Sequence, residues 1–392
     1  YEISECLVGS EMCIRDRFQT NMKMEEKMKK ILTIAVLAAA SVCAARQTHP
    51  PDLKLDNPPK LQDGGSFSMV VLGDPQTYVK NTFSQPIFEL MTAWTAAHKD
   101  ALKIKAVLCT GDLVERNDTP TAFAQFRGDA NGNAPSFAQW EFVARAFSRL
   151  DGEIPYVLCT GNHDYGYESS ENRQTRFGDY FPVSKNPLWR DCLVAAFPNA
   201  EGKMTLENAA FEFFDRNWGK ILVVSLEFAP RDEALEWAES LLKSEKFKGH
   251  KAILLTHSVL RVKKGLAEIM EKESYKLLPC NWGAAVMEKL VRGSDGIKLV
   301  VCGHSGDPSR MAAMVEYKNA KGAKIPIVMF NPQAVGGWHG NGGDGWLRIM
   351  EFMPDGKTVS MRTYSPLFAA SEKTQHLSWN RDADSEFEIV LE

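Results

Sequence analysis

The chain has 392 residues, 24% charged and 44% hydrophobic, with a formal net charge of −4. That is long for one small domain, too short for three, and ordinary for a globular protein. A mildly acidic balance supplies no basic field, so functions that depend on gripping a long nucleic acid are set aside.

Residues 1–21 begin YEISECLVGSEMCIRDR and show neither a hydrophobic period nor turn logic. They resemble translated adapter read-through and are read as a non-native extension, outside the fold. Residues 22–45 run from basic residues through a short apolar stretch to small residues. That is the order of a secretory signal peptide, too short to span a membrane, with cleavage expected after Ala44 or Ala45. Val42 before Cys43 is bulkier than a lipid-attachment motif wants, so lipid anchoring is the lesser expectation. A periplasmic or secreted protein is expected, with no transmembrane span in its mature part. Residues 46–65 are proline-rich and polar and read as a linker.

The folded body is expected over residues 66–392. FSMVVL, KAVLCT, PYVLCT, KILVVSL, KAILLTH, IKLVVCG and PIVMFN are short, near-continuous apolar runs, the pattern of strands covered on both faces. Amphipathic stretches lie between them: PIFELMTAWTAAHK, FAQWEFVARAFSRL, PRDEALEWAESLLKSE and AAVMEKLVRG. In the third, Pro230 is expected in the first helical turn, followed by acidic residues. WLRIMEF, VSMRTYSP and EFEIVLE follow without intervening helices and read as antiparallel strands. The architecture is therefore α/β with helices outside the sheets. Residues 128–134 and 174–202 read as irregular insertions. Cys109, Cys159, Cys192, Cys280 and Cys302 are an odd set; three end apolar strands and read as small buried residues. A Cys192–Cys280 bridge is allowed in an oxidising compartment but not demanded.

Five polar clusters follow the strands, each at a carboxyl end: Asp74-Pro75-Gln76, Gly111-Asp112, Gly161-Asn162-His163-Asp164, His257, and Gly303-His304. Sheets of this kind bind ligands beyond the carboxyl ends of their strands. One aspartate there is a turn or a helix cap. The series delivers carboxylates, carboxamides and imidazoles to one edge, a donor mixture suited to divalent Mn, Fe, Zn or Ni.

On these motifs, GNHD above all, the chain resembles the calcineurin-like metallophosphoesterase family over roughly residues 67–363. The resemblance implies a four-layer α-β-β-α sandwich, two mixed sheets flanked by helices, with a two-metal centre between strand ends. By the same resemblance Asp74 holds the first metal, with Gln76 where many members have histidine. Asp112 bridges both metals. Asn162, His257 and His304 complete the second. The implied activity is hydrolysis of a small phosphate mono- or diester by a metal-bridging hydroxide. His163 faces the leaving oxygen, and Asp164 is expected either to fix the His163 tautomer or to cap a helix.

The departures fall on one metal. Gly306 stands where the second histidine of the GH loop is expected, and Gln76 is a weak neutral donor, so the first position is expected to be weakened. His339 and Asp307 are candidate substitute ligands, with a surface-loop role for His339 and a turn role for Asp307 as the plainer readings. Arg310 and Arg116 are candidate phosphate holders, each with a solvated surface role as the plainer reading. Tyr78, Trp338 and Trp346 read as core rather than as stacking platforms. The alternative function is a noncatalytic, metal-dependent binding module for an anionic or sugar ligand.

Overall fold

The computed structural model describes residues 58–119, 134–263, 265–335 and 341–392. The expected extension and signal peptide, residues 46–57 of the linker, Trp338 and His339 lie outside the described residues, as does most of the insertion at 128–134. All described residues belong to one unit, Leu55–Glu392.

Sixteen strands are described. The first nine are β1 (Phe67–Leu72), β2 (Ile104–Cys109), β3 (Tyr156–Leu158), β4 (Leu193–Phe197), β5 (Asn208–Asp215), β6 (Gly219–Ser225), β7 (Lys251–Leu255), β8 (Leu260–Lys263) and β9 (Leu266–Ile269). The rest are β10 (Ile297–Cys302), β11 (Ala312–Lys318), β12 (Lys324–Phe330), β13 (Leu347–Phe352), β14 (Thr358–Tyr364), β15 (Trp379–Asn380) and β16 (Phe387–Val390). One mixed sheet runs β15-β14-β13-β1-β2-β3, with β16 also on β14; a second runs β11-β12-β10-β7-β6-β5-β4; β8 and β9 form a separate hairpin. β1, β2 and β3 are mutually parallel, as are β6, β7, β10 and β12.

All six residues of β1 are buried, which follows from its covered position and its unbroken apolar sequence. Alternate residues of the second sheet face opposite cores. Ile221, Val223, Ile253, Leu255, Leu299 and Val301 pack with the first sheet. Leu222, Val224, Leu254 and Val300 pack against Leu235 and Ala238 of a helix and against Leu290 and Val291. On the far side of the first sheet lie helices α1 (Gln85–Ala97) and α2 (Ser136–Phe147). α1 turns Phe88, Met91, Thr92 and Trp94 inward at helical spacing, and α2 does so with Trp140, Val143 and Phe147. With α3 (Asp232–Lys243) on the outer face of the second sheet, the layers are helix, sheet, sheet, helix. This is the expected four-layer sandwich.

Four local expectations are corrected. α3 begins at Asp232, not Pro230. The Pro230 carbonyl is taken by the Asn281 backbone N–H at 3.0 Å and by Asn281 Nδ2 at 2.9 Å, so it serves a loop rather than a first helical turn. AAVMEKLVRG is not one regular helix: a single turn at Gly283–Val286 widens into a π-helix at Met287–Val291, which buries Met287, Leu290 and Val291 together. The end of the linker belongs to the fold, because Glu351 Oε1 accepts from Gln62 N at 2.7 Å and Ser66 Oγ at 2.5 Å. The second insertion contains the short helices Phe177–Tyr180 and Trp189–Cys192 and the edge strand β4. The five described cysteines are all free, so Cys192 and Cys280 are not bridged.

Candidate metal centre and active site

The carboxyl ends of β1, β2 and β3 from one sheet meet those of β7, β10 and β12 from the other. Two of the motif glycines are there because a carboxylate needs the space. A Cβ at Gly161 would lie 2.1 Å from Asp112 Oδ1, and a Cβ at Gly303 would lie 2.1 Å from Asp74 Oδ1. Asp112 (φ 51°) and His304 (φ 68°) both turn in the left-handed region, which aims each side chain back across its strand end.

Asp112, His257 and His304 converge with their ligating atoms within 4.8 Å of one another, and Asn162 joins them. Each presents an acceptor. His257 Nδ1 sits 2.6 Å from the Thr110 carbonyl, which takes its proton and leaves Nε2 as a lone pair. That Nε2 is 3.3 Å from Asp112 Oδ2 and 3.2 Å from Asn162 Oδ1. Asn162 donates its Nδ2 proton to Ser169 Oγ at 2.9 Å, so its oxygen faces inward. His304 Nδ1 lies 2.9 Å from that oxygen and 3.1 Å from His257 Nε2, while His304 Nε2 lies 3.0 Å from Glu273 Oε1. With His257 neutral, four lone pairs would point at one volume, an arrangement that fits a cation; in the metal-free fold a proton on His257 takes that part. Burial alone would lower the His257 pKa, but Asp112 and Asp74 outweigh it and raise it to about 9. Burial would raise Asp112, yet His257 and His163 hold it well below the usual carboxylate range. Burial lowers His304, against the opposing effect of its hydrogen bond to Glu273.

The neighbouring position is built differently. Asp74 accepts Thr110 Oγ1 at 2.6 Å, the His304 backbone N–H at 2.8 Å and Asn331 Nδ2 at 2.8 Å. Burial pushes its carboxyl up to about 7, against the pull of His257 and with the push of Asp112. Gln76 donates Nε2 to Asp112 Oδ2 at 2.9 Å, and its own Oε1 is buried without a hydrogen-bond partner. An orphaned, buried carbonyl oxygen on a side chain bonded to Asp112 fits a cation. Gly306 adds no side chain to this shell.

His163 donates from Nδ1 to the Glu115 carbonyl at 2.8 Å, which leaves Nε2 as its working atom. Burial alone would depress its pKa, but Asp112 and Glu115 raise it above the ordinary histidine value. The expected link from Asp164 to the His163 tautomer is corrected. Asp164 is buried and accepts Gly161 N at 2.7 Å and Val114 N at 3.2 Å, so it ties the β2 and β3 turns together. Burial and Asp112 push its carboxyl up to about 8.

Two further candidates are engaged elsewhere. Asp307 accepts Ser309 N and Oγ at 2.9 and 2.6 Å within its own turn. Arg310 grips Asp384 bidentately at 2.8 and 2.9 Å and donates to the Gly265 and Ala312 carbonyls. Its guanidinium is held by protein partners that local sequence could not show. Arg116 pairs with Glu168 at 2.8 Å. Tyr78 and Trp346 are core residues.

Sequence reasoning missed Thr110, Asn331, Ser169, Glu273 and Tyr275. Asn331 carries the same signal as the motifs that were read, being the first polar residue after the apolar run of β12. Glu273 and Tyr275 lie in a charged, patternless loop.

Fold and site fit a phosphoesterase class, and the family comparison agrees. Residues 67–308 match the family described as calcineurin-like phosphoesterase. The chain belongs to that family. It is 25% identical over 334 residues to the uncharacterized protein YvnB of Bacillus subtilis (strain 168), a match covering 83% of this chain and 22% of that protein. Similar solved structures include a dimetal phosphatase from Danio rerio, at 10% identity and TM-score 0.44, covering 83% of this chain and 99% of that one. A purple acid phosphatase from yellow lupin (Lupinus luteus) seeds matches at 12% identity and TM-score 0.43, covering 85% and 55% of the two chains.

Proposed function

We propose that the chain hydrolyses a phosphate mono- or diester on a small substrate, using two divalent cations of the Mn, Fe, Zn or Ni class held with unequal strength. Asp112, Asn162, His257 and His304 would hold the tighter ion. Asp74, Asp112 and the Gln76 amide oxygen would hold the weaker one. The observation that carries this reading is the convergence of His257, Asn162 and His304, each turned inward by a donor engaged behind it, on the Asp112 carboxylate. When bound, such ions supply positive charge to a phosphoryl group and lower the pKa of water towards about 7.

The rest of the chemistry belongs to the chain. His163 keeps one nitrogen on the Glu115 carbonyl and offers the other to the departing oxygen. Its raised pKa keeps a proton available near neutrality, the requirement for a general acid. Asp164 acts at one remove, by joining the turns that carry Asp112 and His163. Phe228, with its ring 5.6 Å from that of His257 and 6.1 Å from that of His304, limits water behind the histidines.

The test is turnover of p-nitrophenyl phosphate and bis-p-nitrophenyl phosphate by metal-stripped protein reloaded with Mn²⁺. Hydrolysis that returns with the metal and is lost in His163→Ala supports the proposal. A chain that binds the cation and turns over neither ester favours the noncatalytic binding module. Export to the periplasm or medium remains part of the proposal, and cell fractionation tests it.

A further inference from the structure

The tighter cation position depends on two choices that its ligands cannot make alone. An imidazole offers a lone pair at Nδ1 only when its proton sits on Nε2, and an amide offers oxygen only when its NH2 is engaged elsewhere. One loop, residues 270–282, stands behind both choices. Its Glu273 Oε1 lies 3.0 Å from His304 Nε2. Its Tyr275 hydroxyl faces Ser169, and Ser169 Oγ accepts the Asn162 amide proton at 2.9 Å.

Charge gives the same loop a second part. Of the four inward-facing groups only Asp112 is anionic, and Asp112 is shared with the weaker position. Glu273, half-buried behind His304, adds a negative charge through the imidazole, which makes that ring a stronger donor. The Tyr275 ring stands 6.3 Å from that of His304 and packs on Phe228 at 5.6 Å, so the loop also lowers the local dielectric.

We propose that residues 270–282 brace the tighter cation from outside, with Glu273 and Tyr275 as positioning residues that fix His304 and Asn162 as ligands and set how tightly the ion is held. The inference rests on the metal-dependent reading above and deepens it. It concerns affinity and ligand geometry rather than the chemical step.

The test uses the metal-stripped full chain, titrated calorimetrically with Mn²⁺ and followed with Co²⁺ by visible absorption. Glu273→Leu should weaken the tighter site about 10- to 100-fold, the range for a lost outer partner. Glu273→Gln keeps an acceptor for Nε2–H and should fall between parent and Glu273→Leu. Tyr275→Phe should lose a few-fold, about 3-fold, since Ser169 still holds Asn162. The Co²⁺ spectrum should shift in both Glu273 variants, whereas a merely structural role would lower the melting temperature of the metal-free chain without moving that spectrum. Should Glu273→Leu fail to fold, Glu273→Gln carries the test. Parent affinity and an unchanged spectrum in the Glu273 variants would overturn the brace alone. A parent chain that takes up neither Mn²⁺ nor Co²⁺ would overturn the metal-dependent reading and the brace with it.

Discussion

The two halves of the crevice solve the same problem with different thoroughness. Around Asn162, His257 and His304, every inward-facing atom has a partner behind it that dictates its orientation. Around Asp74 and Gln76, the carboxylate already takes three protein donors, and Gln76 spends its NH2 on Asp112. The first half is organised to receive a cation. The second is organised to hold itself together and offers one orphaned oxygen. Ligand count alone would not separate them so clearly; the direction of each donor does.

The largest expected effect comes from the residue common to both halves. Asp112→Ala should remove ester hydrolysis by more than about 10³-fold, beyond the usual cost of one charge-stabilising group, measured as kcat/KM on p-nitrophenyl phosphate. Next, His257→Ala should weaken the tighter ion by more than about 100-fold, while Gln76→Ala changes it by less than 10-fold; calorimetric titration checks both. Equal losses would erase the distinction between the halves. Gln76→His should strengthen the weaker ion by roughly 10-fold, since imidazole is a better donor than a carboxamide for these metals, and elemental analysis should show a fuller second equivalent.

A smaller effect is set by pH. In the metal-free fold the Asp74 carboxyl is raised to about 7, above its unfolded value. The protonated form therefore adds stability at low pH, and that contribution is lost as pH rises through about 7. A cation needs the ionised form, so the thermal shift produced by added Mn²⁺ should grow between pH 6 and pH 8. A shift constant across that window would deny Asp74 a part in binding. The smallest effect lies outside the crevice. The Arg310–Asp384 pair is partly exposed, so Arg310→Ala should cost about 1 kcal/mol at most by thermal denaturation and leave KM unchanged.

Legibility followed the range of the physics. The central strands β1, β7, β10 and β12 could be read because burial on both faces forces continuous apolar runs. β4 is half-buried throughout and β9 alternates exposed with half-buried residues, so neither carries such a run. Asp74, Asp112, Asn162, His257 and His304 were visible because each stands just beyond a strand, and four of them lie beside a glycine or proline. The Arg310 pairing with Asp384 was not legible, because that carboxylate lies 74 residues away. Glu273 acts across 31 residues from a loop with no periodicity, so only the folded chain brings it to His304.

Asp112 and His304 hold backbone angles that cost an L-residue roughly 1–2 kcal/mol each. An ion present at 100 times its dissociation constant returns about 2.7 kcal/mol, comparable with that penalty. Resistance to proteases should therefore track metal supply. Cells starved of divalent ions would clear the chain faster than cells that supply them.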